Sequence, residues 1–138
     1  MNIAAILRNK SDSVATAWLD WSVTQVCEKL TELGIGALIV SEDGARVDCI
    51  VSERDTIRHL ARNGALILDR PVSDIMIREV VVCAREDNIA QLTNTMTDRH
   101  FQHLPVVEQE RLVGLVSIGD LVKSRIRETE HEAEAPKA

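Results

Sequence analysis

The sequence predicts an α/β protein made of two tandem copies of one unit, each strand–helix–strand–strand–helix, related by a pseudo-twofold axis. Three observations predict it. Residues 14–40 lie over residues 80–106 without a gap at an offset of 66, so that Gln25 falls on Gln91, Leu38 on Leu104 and Val40 on Val106. After a loop one residue longer in the first copy, residues 47–55 (VDCIVSERD) lie over residues 112–120 (LVGLVSIGD), with Val51, Ser52 and Asp55 on Val116, Ser117 and Asp120. A fixed period whose insertions fall in loops is what a duplicated supersecondary unit leaves behind. Each copy also alternates short β-branched runs with helical periodicity, the element order of an α/β fold.

The elements follow in chain order. Ile3, Ile6 and Leu7 form a short amphipathic helical turn, and residues 72–76 are its counterpart ahead of the second copy. Residues 14–17 and 80–84 read as short strands, the second carrying the β-branched run Val80-Val81-Val82. Ser22-x-x-Gln25 and Asn88-x-x-Gln91 are capping-box patterns that open the next helices. In the first copy Val23, Val26, Cys27, Leu30 and Leu33 recur at helical spacing until Gly34 ends the helix. Residues 37–40 and 104–107 are strands. Turns at residues 42–44 and 108–110 lead antiparallel into strands at 47–51 and 112–116. Final helices run over residues 55–63 and from Asp120 to about Glu128. The expected division is residues 1–68 for the first repeat with its N-terminal turn, 69–128 for the second with its leading linker, and 129–138 for an acidic tail.

Units of about 60 residues are marginal alone, so the halves are expected to share a core. A net charge of -6 and an aromatic set of only Trp18, Trp21 and Phe101 argue against nucleic-acid binding. No apolar run approaches the ~18 residues of a membrane span, and the N-terminus lacks signal-peptide character. Three widely separated cysteines, Cys27, Cys49 and Cys83, give no disulfide framework and suit a reducing, cytoplasmic setting.

The stretch FQHLPVV at residues 101–107, the corner LVGLVSIGD, and IVSERD at residues 50–55 followed by RPVSDIM at residues 70–76 resemble a tandem pair of cystathionine β-synthase (CBS) domains, a Bateman module. The resemblance covers about residues 3–128 and implies a stand-alone pair with no catalytic domain. It implies an adenosine-containing ligand (AMP, ADP or ATP foremost, with NAD(H) or S-adenosylmethionine as further members) held in clefts between the repeats. It also implies a homodimer, packed in parallel or antiparallel, and a regulated partner protein.

On that resemblance Asp120 and Asp55 accept hydrogen bonds from ribose hydroxyls, a role that suits a two-oxygen acceptor facing a vicinal diol. Ser117 and Ser52 sit where helices begin, and free backbone N–H groups there can hold phosphate. The Asp120 cleft, the favoured one, is expected to combine Ser117, Gly119, Asp120, His103 and Gln102 with Gly36 and Ala37. The Asp55 cleft is expected to use Ser52, Arg54, Arg58 and Asp55 opposite Val82, Cys83 and His103, and Thr16 completes the candidates. Ser-x-x-Asp at a strand-to-helix corner is equally an ordinary capping pair. Three departures from the family pattern stand out: Cys49 in place of Gly114, Ile39 in place of Pro105 (expected to loosen that strand edge), and Trp21 in place of Asp87. Trp21 is either an interface anchor or a cover for the first helix.

Two other chemistries are disfavoured. His59, His100, His103 and the cysteines show no tight metal-ligand spacing, and no cysteine lies in a polar, activating context. The leading function is therefore a nucleotide-sensing regulatory module without catalysis. The competing one is a constitutive dimeric interaction protein with vestigial clefts.

Overall fold

A computed structural model of the chain describes residues 1–8, 10 and 14–134. The elements are α1 (Ile3–Leu7), β1 (Thr16–Ala17), α2 (Val23–Leu33), β2 (Ala37–Val40), β3 (Cys49–Ser52), α3 (Glu53–Asn63), 3-10 turns at Ala65–Asp69 and Val72–Asp74, α4 (Ile89–Arg99), β4 (His103–Glu108), β5 (Arg111–Ser117) and α5 (Ile118–Glu134). They fall into two compact units. One comprises Ala15–Val80 with Glu110–Leu112; the other comprises Met1–Val14, Val81–Gln109 and Val113–Ala138.

In the first-repeat unit β1 runs parallel to β2, pairing Thr16 with Ile39 and Ala17 with Val40. The parallel pairing requires a crossover, which α2 supplies. β3 returns antiparallel, from Val40↔Cys49 to Ala37↔Ser52. All four residues of β2 are buried, as the central strand of a covered sheet should be. α2 begins on a complete capping box: the Gln25 N–H donates to Ser22 Oγ and the Ser22 N–H donates to Gln25 Oε1. It ends at Gly34, whose φ of 63° is the left-handed conformation that glycine adopts without strain.

The second-repeat unit repeats this plan with two differences. Here His100, not glycine, takes the left-handed C-cap position after α4, at φ 60°. The expected strand at residues 80–84 contracts to one parallel bridge, Cys83↔Val106. The Cys83 N–H donates to the Pro105 carbonyl, and Val107 donates to the Cys83 carbonyl, both at 2.9 Å. The next ladder bond back along the strand would need an N–H on Pro105, which proline lacks. The expectation that Ile39 loosens its strand edge is thus reversed: the proline shortens the pairing, and Ile39 leaves it intact. β4 and β5 pair across Gln109 and Glu110, both at positive φ, the signature of a tight hairpin turn. α5 runs past the expected end near Glu128 to Glu134. The last four residues of the expected acidic tail lie outside the described residues.

The leading turns are exchanged. α1 precedes the first repeat but belongs to the second-repeat unit: the N–H groups of Ile3 and Ala4 donate to the carbonyls of Asp87 and Arg85. Ile3 and Ile6 join the cluster of Cys83, Ile89, Met96, Leu104, Val106, Val116 and Leu121. Conversely, Val72 and Ile75 precede the second repeat but pack with Val23, Val26, Leu30, Leu38 and Val51. The Val72 N–H donates to the Trp21 carbonyl at 2.7 Å, and Val23 donates to the Arg70 carbonyl. The N-terminal turn therefore departs from its expected grouping with the first repeat. Each unit thus has its own buried cluster. Each borrowed turn supplies two buried aliphatic side chains, at about 1.5–3 kcal/mol apiece, to a unit too small to do without them.

Gly114 is buried, and a Cβ there would lie 2.6 Å from Leu7 Cδ2. Its small size is therefore set by α1 lying on β5. The equivalent Cys49 is likewise buried, at 5% exposure, within the first unit's cluster.

Candidate ligand-binding corners

Each repeat ends its last strand in a serine that caps the following helix, and an aspartate at the third helical position closes the cap. In the first, the N–H and hydroxyl of Ser52 both donate to Asp55 Oδ2, at 2.9 and 2.8 Å, and the Asp55 N–H donates back to Ser52 Oγ. In the second, the Ser117 N–H donates to Asp120 Oδ2 at 2.9 Å and the Asp120 N–H donates to Ser117 Oγ at 3.2 Å. Both corners are reciprocal capping boxes, so the capping role of Ser-x-x-Asp is real whatever else it does.

A second duplicated bond narrows the anion site. The first N–H of α3, on Glu53, donates to the Gly36 carbonyl, and the first N–H of α5, on Ile118, donates to the Gln102 carbonyl, both at 2.9 Å. With the third N–H taken by serine, one early donor without a partner among the described residues remains in each corner, on Arg54 and on Gly119. The expected multi-donor phosphate cradle is thus reduced to one backbone N–H, so most phosphate contact would fall to side chains.

The corners differ in charge. Lys10 Nζ donates to Asp120 Oδ2 at 2.7 Å and to the Leu115 carbonyl at 2.9 Å. Burial alone would push the Asp120 carboxyl up. The Lys10 hydrogen bond and charge, together with the Ser117 N–H, outweigh it and hold the group below the usual carboxylate range. Among the described residues Asp55 has no such cation: it is 7% exposed and held by Ser52. Lys10 was not among the sequence candidates, because nothing local marks a lysine whose partner is 110 positions away.

The other candidates are placed as follows. Arg54 and Arg58 are exposed on α3, and neither makes an ion pair among the described residues. Gly119 is exposed at the start of α5, and Val82 is exposed beside Cys83. His103 opens β4, and Gln102 precedes it; both are half-buried, as are Thr16 and Gly36. Ala37 is fully buried in β2, so it offers a ligand no side chain. Cys83 is 4% exposed within its cluster, and burial, with Asp87 nearby, pushes its thiol up to about 12. That thiol is inert at neutral pH. Among the described residues no cluster of His, Cys, Asp and Glu could hold a metal ion. None of their helices is long and apolar enough to cross a membrane.

Residues 6–62 and residues 72–127 each match the CBS domain model. The CBS-domain containing protein ATU1752 from Agrobacterium tumefaciens is 36% identical, with a TM-score of 0.86 over 91% of this chain and 99% of that one. The mitochondrial CBS domain-containing protein CBSX3 of Arabidopsis thaliana is 29% identical over 138 residues, covering 94% of this chain and 67% of the plant protein. A Thermofilum pendens protein is 38% identical over 104 residues, and there the match spans only 34% of the relative. The CBS domain pair of protein MJ0100, solved in complex with 5-methylthioadenosine and S-adenosyl-L-methionine, has a TM-score of 0.79 at 21% identity and shares the fold.

Proposed function

Because the chain belongs to the CBS domain family, as a tandem pair, we propose that it is a regulatory module that binds an adenosine-containing ligand at its Ser–Asp corners and performs no catalysis. The observation that carries this is the corner itself, built twice from the same bonds. In both copies the capping bonds converge on Oδ2, and among the described residues Oδ1 is left to accept from a ribose hydroxyl. Backbone and cap fix the carboxylate before a ligand arrives, so little ordering is needed on binding. The adenosine ligands of MJ0100 support the ligand class. AMP, ADP and ATP remain the favoured members for the Asp120 corner, where Lys10 offsets the carboxylate charge. The ligand signals by differential affinity for two arrangements of repeats or subunits.

A second reading is a constitutive interaction module. It is favoured by the fact that capping alone accounts for both aspartates, and by exposed apolar side chains on the helices: Leu33, Ile57 and Leu60 on α2 and α3, and Val122 and Ile126 on α5. These faces suit self-association into a homodimer under either reading.

Calorimetric titration of nucleotide-free protein with AMP, ATP, NADH and S-adenosylmethionine separates the two. The sensor reading expects saturation by one of them, lost in Asp120→Ala or Asp55→Ala with the fold retained. Saturating ligand at a hundred times its dissociation constant should add about 2.7 kcal/mol of apparent stability. Silence across the panel from a folded dimer would leave the interaction module standing.

A further inference from the structure

We propose that Trp18, Trp21, Asp20 and Glu42 form a binding site for a small organic cation of the quaternary ammonium class, separate from the Ser–Asp corners. These residues, with Leu19 and Gln25, line a shallow groove open to solvent, of about 660 Å³, in the first-repeat unit. Both tryptophans of the chain stand in it. Trp18 keeps 49% of its surface exposed, so its ring is open to a ligand that enters the groove. Asp20 and Glu42 are exposed, no basic residue lines the groove, and neither carboxylate makes an ion pair among the described residues.

The backbone that carries the walls is fixed in advance. The Trp21 N–H donates to the Trp18 carbonyl at 3.1 Å, and the Trp21 carbonyl accepts from Val72. Gln25 is committed to the α2 cap through its Oε1, and the Glu42 N–H donates to Asp48 Oδ2 at 2.9 Å. The site lies beyond the Ala17↔Val40 end of the sheet, whereas Ser52 pairs with Ala37 at the opposite end of β2. Four strand residues, about 10 Å at ~3.3 Å each, separate it from the Ser52–Asp55 corner.

The chemistry selects the ligand. Indole faces attract cations, most strongly those that shed water easily, and two uncompensated carboxylates add attraction that a neutral ligand cannot use. An alkali ion holds its hydration too tightly for an aromatic wall, and an anion is repelled. A methylated ammonium ion fits both features.

Tryptophan emission reports directly, because both indoles belong to the site. The full chain is titrated with choline at constant ionic strength, and in parallel with 3,3-dimethylbutan-1-ol, its uncharged isostere. The expected result is a saturable emission change with choline and none with the isostere. In Asp20→Asn/Glu42→Gln, affinity for choline should fall about ten-fold while the far-ultraviolet spectrum is unchanged. An equal response to the isostere would reduce the site to an apolar groove and overturn the proposal. So would the absence of saturation, or choline binding undiminished in the double variant. If that variant does not fold, the wild-type comparison of choline with its isostere decides alone.

Discussion

Lys10→Met removes one ammonium group from the second-repeat unit and leaves the aliphatic stem in place. Two hydrogen bonds go with it, to Asp120 Oδ2 and to the Leu115 carbonyl. The ion pair is partly solvated, at 39% and 27% side-chain exposure, so it contributes about 0.2–1 kcal/mol. The carbonyl bond adds about 1 kcal/mol, and release of an ordered lysine offsets up to ~1 kcal/mol. A net loss of about 1 kcal/mol is expected at neutral pH. Asp120 has a depressed folded value, so its contribution is fully present above the unfolded carboxylate value of about 3.9 and is lost as pH falls through the folded one. The wild-type advantage should therefore shrink in acid and in high salt. Urea unfolding at about pH 7 and about pH 3 measures it. An equal advantage at both pH values would refute the electrostatic account, and no advantage at either would show that the contact contributes nothing.

Four further outcomes follow from the same geometry. Gly114→Ala should cost about 1 kcal/mol by overpacking against Leu7, and a double-mutant cycle with Leu7→Ala should recover most of it; additive losses would mean that the clash is not the cause. His100→Gly relieves a left-handed histidine and should raise the free energy of unfolding by about 0.5–1 kcal/mol, while Gly34→Ala at the equivalent position should lower it by a similar amount. Ser52→Ala should cost about 1–2 kcal/mol by removing the cap of α3, seen in thermal unfolding. Cys83 should resist thiol labelling in the native protein and react only after unfolding; ready labelling at neutral pH would contradict its burial.

The repeat, the order of elements, the Ser22–Gln25 capping box and the hairpins were legible because each is written locally, in spacing and short-range polar pairs. The Ser–Asp corners were legible for the same reason. What escaped was long-range. Lys10 meets Asp120 only because α1 docks on β5, and the two are more than a hundred residues apart. Gly114 stood out only as the counterpart of Cys49, and the space over it is filled by Leu7, more than a hundred residues away. Pro105 looked like the family norm, yet its missing N–H ends the pairing at Cys83. The anion site looked richer than it is, because a sequence cannot tell that the Gly36 and Gln102 carbonyls already take the first helical N–H groups. Local chemistry predicted elements, and tertiary chemistry decided which of their groups remained available.

The exchange of leading turns changes what a single break in the backbone would do. Cut between Gly64 and Asp69, the chain becomes two fragments, each holding a turn that the other needs: α1 stays with the first repeat, and Val72 with Ile75 stays with the second. Neither fragment can then complete its own hydrophobic cluster, and each can complete the other's. Proteolysis of that connection would therefore leave a clasped pair that comes apart only when both docked turns let go. Refolding the separated fragments would become a second-order reaction, because the tether that keeps each turn near its site would be gone.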